Sequence, residues 1–530
     1  MVKFLNKHWI VVIIFILGLS VSQPLMKTGY FSHQDDLQVM RIFEMRKCFS
    51  DFQIPCRWVP DMGWGNGFPL FNFYGPFTYY LGAVVSYVLG YLNSAKLLFF
   101  TTLIVGSFGV YLLVRELWGK YAGLTAASLY LFAPYKALDI YVRGALSESM
   151  ALAIIPLVFY FLQKKNYKLF TVSLFFFLIT HNIMTVIFVP VVVLWGIYVL
   201  FLNKFNNLKF VLLSFIIAFG LASFFILPAF FEKNLVQTQS LTRFELDFRA
   251  NFISIKQLFF DRVWGYGTSI PGPEGGMNFS IGWPHWWLVL LSTFALLFVK
   301  DKKSILLALF YILLFLFSIF MTHNKSSFIW ENISILTFFQ FPWRFLSLSI
   351  LTSSILGGFV ISLFREKLQI YASLFIILIT VFLNWSYFKP REFYEVTEKE
   401  KMTGELWEYQ RKGAILDYLP KTALEPREGA NTTLSNFQSY SNKFSFEINL
   451  DKETQIEIPI FYFPNWEVTV DGEKYLVSHD NILGRISVLV PEGYHKIVGN
   501  FKNTVIRTFA NYLTLVSFFS LIYIWRKHKN

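Results

Sequence analysis

Charge is what this sequence has least of for its size: Asp, Glu, Lys and Arg make up 15% of its 530 residues. A soluble protein of that length would carry about a quarter, so a chain that is water-exposed throughout is excluded. Cysteine is nearly absent, with Cys48 and Cys56 the two copies, and their spacing is not the C-x-x-C type of a metal site. The eight histidines are scattered through loops and apolar runs, which excludes a zinc centre built on regular ligand spacing. No strand–glycine–helix context of a nucleotide fold is present. Internal repeats and low-complexity tracts are also lacking.

Apolar residues fill the space that charge leaves. The chain is 55% hydrophobic and 20% aromatic, with 62 phenylalanines. Runs of about 20 apolar residues recur along most of its length, which is the pattern of a polytopic helical membrane protein. The net charge of +13 sits in short basic clusters between those runs and forms no stripe. That distribution reads as the positive-inside signature and argues against a nucleic-acid partner.

Charge placement orders the crossings. Lys3 and Lys7 put the N-terminus in the cytoplasm, and residues 9–26 cross outward. This first run lacks a small-residue cleavage site before Pro24, so it is expected to stay as a helix rather than be removed. Further crossings are expected at 96–114, 121–138, 149–162, 169–181, 185–202, 210–231, 283–299, 304–321, 344–364, 368–388 and 505–525. That makes about 12, with both termini cytoplasmic. Residues 73–91 are apolar enough to span, but counting them breaks the charge parity. They are therefore expected to lie along the outer face or dip into it.

Residues 389–504 change character. After a polar stretch they alternate as strands do, in FSFEINL, TQIEIPIFYFP, WEVTVDGEKYLV, RISVLVP and HKIVGNF, with turn pieces at Asp471-Gly472 and Pro491-Glu492-Gly493. The expected organisation is a transmembrane domain over 1–388 with an active-site loop at 27–94, an extracytoplasmic β-rich domain over 389–504, and an anchoring helix over 505–530. The fold class is an all-α polytopic membrane protein with interfacial helices and one small β-domain.

The long polar interruption of the first half, residues 30–76, carries the candidate chemistry. Asp35 and Asp36 are adjacent carboxylates where the chain leaves the first apolar run, followed by Arg41, Glu44, Arg57 and Asp61. Such a pair can act as a general base or hold a divalent cation, magnesium or manganese; an Asp before a helix is equally a common N-cap. Residues 36–52 read as an interfacial amphipathic helix, with Val39, Ile42, Phe43, Phe49 and Phe52 opposite Arg41, Glu44, Cys48 and Asp51. Cys48 and Cys56 are close enough in sequence to join, and a pair of free thiols fits as well. Asp139, Arg143 and Glu148 fall together between two apolar runs, where Arg143 can take phosphate bidentately or staple the loop as an ion pair. His181 interrupts some 30 apolar residues, either as a functional group or as a helix cap with Asn182. Arg344, in QFPWRFL, either snorkels or meets a lipid phosphate. The loop VWGYGTSIPGPEGGMNFSIGWPHWW can hug a substrate or simply mark the interface.

Taken together, HQDDLQVMRIFEM, IPCRWVPDMGWGNGFPLFNFYGP, APYKALDIYVRGALSE, LITHNIM, WGYGTSIPGPEGGMNFSIG and QFPWRFL resemble bacterial membrane proteins named "6-pyruvoyl-tetrahydropterin synthase-related". These look like members of the GT-C glycosyltransferase superfamily. YFPNWEVTVDGE and VPEGYHKI resemble the C-terminal β-module of related large membrane proteins. The pterin chemistry of that name needs a histidine-bound zinc, which this sequence does not offer. The resemblance implies an acidic residue in the first extracytoplasmic loop as base or metal ligand, so Asp35 or Asp36, followed by interfacial helices that suit 73–91. Members often separate their two acids, whereas here they adjoin.

The resulting expectation is an inverting glycosyltransferase of the cell membrane, using a polyprenyl-phosphate-linked sugar and an extracytoplasmic glycan, lipid or protein acceptor. Arg57, Asp61, Arg143, Glu148, His181 and Arg344 are the expected substrate-binding residues. No organic cofactor is expected. A lipid-linked sugar flippase and a non-catalytic membrane scaffold are the alternatives.

Overall fold

In the computed structural model, residues 2–238, 242, 244–270, 276–413, 418–426 and 434–527 are described. Residues 271–275 of the glycine-rich loop and 528–530 of the basic C-terminus lie outside them. Among the described residues, nine helices are long and apolar enough to cross a membrane, from Trp9–Met26 through Val505–Ile524. Three of the expected crossings are shorter. Lys120–Leu131 and Tyr167–Leu178 have 12 residues each, and Trp283–Ala295 has 13. At 1.5 Å per residue they reach about 20 Å, against a hydrocarbon core of roughly 30 Å. Lys120–Leu131 is cut short by Pro134, which opens a separate turn of helix. Tyr167–Leu178 stops before His181, which starts the next helix.

The chain divides into two compact units, one of residues 1–36, 96–216 and 241–395, the other of residues 37–95, 217–240 and 396–530. In the first, Leu346–Ser362 is buried along its whole length but for the last residue and packs on Lys120–Leu131, Trp283–Ala295 and Lys302–Thr322. Its serines and glycines make that possible, because small residues let helix backbones approach closely in the absence of a hydrophobic drive. A Cβ on Gly357 would stand 2.2 Å from Leu129, and one on Gly358 2.9 Å from the Ala122 carbonyl. A two-stranded ribbon, β1 (Tyr30–Phe31) against β2 (Phe393–Tyr394), closes this unit across the sequence.

The same unit shows that the chain returns to the level it left. Lys96 Nζ donates to the carbonyls of Lys27 and Gly29 at 2.9 and 3.0 Å. The stretch between them therefore begins and ends side by side in this unit. Residues 77–89 form the first arm of the helix Phe77–Trp118, which breaks at Gly90 with φ 73° and ψ 176°. No L-residue adopts that conformation without cost. The arm is about 20 Å long, and it exposes Val84, Tyr87 and Val88. Cysteines introduced at Thr28 and Asn93, both exposed, should react with an impermeant thiol reagent from the same side. Labelling from opposite sides would make residues 77–89 a crossing.

In the second unit the Gly90 break is held by Glu398, whose carboxylate accepts from the Tyr91 amide at 2.5 Å. It acts as a remote N-cap for the second arm. Glu398→Ala should cost about 1–2 kcal/mol and speed amide exchange over residues 91–94, whereas substitution of the exposed Lys399 should change neither.

The helix Gln38–Ser50 corrects the sequence reading of which face is polar to solvent. Arg41, Glu44 and Cys48 are fully buried, and Phe52 is 86% exposed. The polar side turns inward because each group finds a partner there. Glu44 accepts the Asp61 and Met62 amides at 2.9 and 3.1 Å, Arg41 reaches the Tyr79 hydroxyl at 3.4 Å, and Cys48 is bonded to Cys56. Burial pushes the Glu44 carboxyl well above the usual carboxylate range.

The β-region joins this unit as a five-stranded antiparallel sheet in the order β3 (Gln438–Ser439), β4 (Lys443–Leu450), β9 (Gly493–Phe501), β6 (Trp466–Val470), β7 (Glu473–Tyr475). A separate ribbon pairs β5 (Thr454–Phe461) with β8 (Arg485–Val490). The expected turns at Asp471-Gly472 and 491–493 are where β6 meets β7 and β8 meets β9. Trp58 from the opening loop lies 5.5 Å from the rings of both Trp466 and Phe501, and Asn66 accepts from Arg485 Nε at 2.7 Å. Trp58 and the Gly- and aromatic-rich run after Asp61 thus dock the β-region.

Candidate functional site

The acidic pair follows directly on β1. Asp36 Oδ2 accepts from the Tyr394 hydroxyl at 3.2 Å, and its Oδ1 lies 3.8 Å from His33 Nε2. Tyr394 comes there because it is paired with Tyr30 in the β1–β2 ribbon. His33 is packed among Tyr30, Phe31 and Phe99, with its side chain fully buried while that of Asp36 stays 19% exposed. A carboxylate that is oriented by a hydroxyl and an imidazole, yet reachable, has the form of a general base. The N-cap position of the following helix is Leu37, not Asp36.

Backbone bonds tie this loop to the Arg143 turn. The amides of Gln34 and Asp35 donate to the carbonyls of Val142 and Arg143, both at 2.9 Å. Gly144, with φ 67°, lets the turn close on His33, whose Nδ1 would stand 2.1 Å from any Cβ there.

Arg143 is held by an ion pair with Asp139 and another with Glu148 at 3.0 Å. Glu148 also faces Arg344 Nε at 3.4 Å and accepts from the Tyr135 hydroxyl at 2.5 Å. The Arg143 guanidinium stacks 4.6 Å over the Trp343 ring. Burial pushes the Asp139 carboxyl upward, with Glu148 acting the same way and Arg143 against it. Arg344 does not snorkel. It is buried and donates to the Phe339 carbonyl at 2.6 Å. His181 caps its helix, its Nδ1 accepting from the Met184 amide at 3.3 Å, and it lies within electrostatic range of Glu148, Arg344 and Arg143. The structure therefore gathers Asp139, Arg143, Glu148, Arg344 and His181 in the first unit. The ion-pair reading of Arg143 and the cap reading of His181 both hold there.

Arg57 and Asp61 belong to the second unit and have partners in it. Arg57 donates to Asn72 Oδ1 at 2.9 Å and Asn511 Oδ1 at 3.0 Å. Asp61 is paired with Lys47 Nζ at 2.6 Å.

Among the described residues no group of three or more His, Cys, Asp or Glu side chains is placed to hold a metal ion. Asp35 and Asp36 would be the protein's ligands for a divalent cation, the rest coming from water or substrate phosphate, an arrangement usual for magnesium.

Sequence reasoning left out three side chains that stand beside these groups. His33 stands three residues before Asp36 and was legible as part of HQDD. Lys136, buried with its ammonium 4.9 Å from the Tyr130 ring and without a hydrogen bond among the described residues, was hidden in an apolar run. Tyr394 carries no local signal, since the strand that presents it has two residues.

No protein-family profile matches the chain. An uncharacterized protein of Lactococcus lactis subsp. cremoris (strain MG1363) is 25% identical over 248 residues, which are 43% of this chain and 40% of that protein. Among solved structures, the apo oligosaccharyltransferase of Archaeoglobus fulgidus aligns over 83% of this chain and 62% of its own, at 14% identity and a TM-score of 0.42. A mycobacterial arabinofuranosyltransferase aligns over 74% of this chain and 29% of its own, at 10% identity and a TM-score of 0.43.

Proposed function

We propose that this protein is a GT-C-type membrane glycosyltransferase that moves a sugar from a polyprenyl-phosphate donor to an extracytoplasmic acceptor with inversion. The observation that supports this best is the pairing of residues 34–35 with residues 142–143, which joins an oriented carboxylate to a buried arginine cluster. Asp36, positioned by Tyr394 and His33, removes the proton of the acceptor hydroxyl. The hydroxyl oxygen attacks the anomeric carbon, and the sugar–phosphate bond breaks. Arg143 and Arg344 oppose the charge that grows on the leaving phosphate, a role worth a few kcal/mol in a water-poor site. Glu148 keeps both guanidiniums in place between turnovers. A divalent cation on Asp35 and Asp36 would add charge neutralisation at the donor phosphate.

The Cys48–Cys56 disulfide supports an extracytoplasmic opening loop, since such bonds persist in oxidising compartments. The β-region then faces the same side and is suited to acceptor recognition.

The test uses purified protein in detergent with labelled polyprenyl-phosphate sugars and a membrane extract as acceptor source. Consumption of donor with release of polyprenyl phosphate is the expected result. A donor moved across reconstituted vesicles but never consumed would instead favour a lipid-linked sugar transporter.

A further inference from the structure

The second unit contains a charged cluster that the proposed reaction leaves unused. Glu232 accepts from Arg507 Nε at 2.9 Å, from Asn72 Nδ2 at 2.8 Å and from the Thr504 hydroxyl at 2.6 Å. Arg57 reaches the same Asn72 and also Asn511. Arg507 lies about 5 Å from the rings of Phe463 and Phe501 and reaches the Lys502 carbonyl at 3.4 Å. Arg57 and Glu232 are each 3% exposed and Arg507 is 0% exposed.

Arg507 is ion-paired with Glu232 while Arg57 donates to the amide oxygens of Asn72 and Asn511, so among the described residues the cluster holds two guanidiniums and one carboxylate away from water. A second positive charge there is costly unless something negative meets it. Helix geometry adds to the imbalance. The helix Val505–Lys527 begins here, and the first turn of a helix is its positive end. Two buried donor atoms, Arg57 Nε and Arg507 Nη2, have no acceptor among the described residues. Burial, with Arg507 beside it, pulls the Arg57 guanidinium down to about 10, so it stays charged at neutral pH. What the cluster lacks is one negative charge carrying several acceptor oxygens, and arginine forks suit phosphate in particular. The surroundings are those of a lipid boundary. Val505 is 87% exposed and Phe509 is exposed on the same membrane-entering helix.

We propose that Arg57, Arg507 and Asn511 bind one phosphate group, carried by a lipid headgroup or present as free phosphate, that completes the charge balance where this last helix enters the membrane. The site is structural and stands independently of the glycosyltransferase reading.

Thermal unfolding of the full-length protein in a neutral detergent tests it. Phosphatidylglycerol, phosphatidylcholine and inorganic phosphate are the probes, with sodium chloride at matched ionic strength as reference. A bound anion should raise Tm by several degrees once well above its Kd. A rise with phosphatidylglycerol alone identifies a headgroup, and a rise with inorganic phosphate that the lipid does not extend identifies free phosphate. Asn511→Asp places a carboxylate beside Arg57 as a built-in substitute. This variant should be more stable than wild type without any probe and lose the probe-induced rise. Glu232→Gln should do the reverse, with a lower starting Tm and a larger rise; if it fails to fold, Asn511→Asp still decides. No rise in wild type with any probe, or an undiminished rise in Asn511→Asp, overturns the proposal.

Discussion

Asp36→Asn should lower sugar transfer by roughly 100- to 10,000-fold, the usual cost of losing a general base, while KM for the donor and the melting temperature change little. Asparagine keeps the size of the side chain and can still accept from the Tyr394 hydroxyl, so the loss isolates the proton acceptor. Asp35→Asn should have the smaller effect, because its neighbour is the one that Tyr394 and His33 orient. A helix-cap role makes a different forecast: asparagine caps about as well as aspartate, so both variants would remain active. Full transfer by Asp36→Asn, Asp35→Asn and the double variant would remove the catalytic claim for the pair.

The largest stability effect is expected at Glu148. It is buried, meets Arg143 at 3.0 Å and Arg344 at 3.4 Å, and accepts from Tyr135. Glu148→Gln removes the charge that both guanidiniums face and leaves Asp139 to meet Arg143 alone. Breaking a buried pair from one side costs about 3–5 kcal/mol, which in a protein of this size is a fall in Tm of about 3–5 °C. Arg344→Met is the informative comparison. It removes one cation together with its desolvation cost, so it should lower Tm less while still reducing transfer. Equal falls in Tm would mean that Glu148 stabilises by packing and not by balancing the two arginines.

What the sequence determined by itself is the part governed by local periodicity and composition. Apolar run length and basic clusters suffice for a multi-pass chain, because each crossing is a local decision between lipid and water. Strand alternation and the Asp471-Gly472 turn suffice for the antiparallel β-region. Charge parity led to the expectation that 73–91 makes no crossing, which labelling at positions 28 and 93 tests. The run HQDD made Asp35 and Asp36 the candidates that the asparagine variants test.

Tertiary structure decided the rest, for reasons no local pattern carries. The polar side of Gln38–Ser50 faces inward because Glu44, Arg41 and Cys48 meet partners from later in the chain. A helical wheel records which residues share a face but not what covers it. Tyr394 reaches Asp36 from a two-residue strand, and Arg507 reaches Glu232 across most of the second half of the chain. Contacts of that span leave no period in the sequence. They exist because a buried charge must find its counterpart wherever the fold brings one within reach.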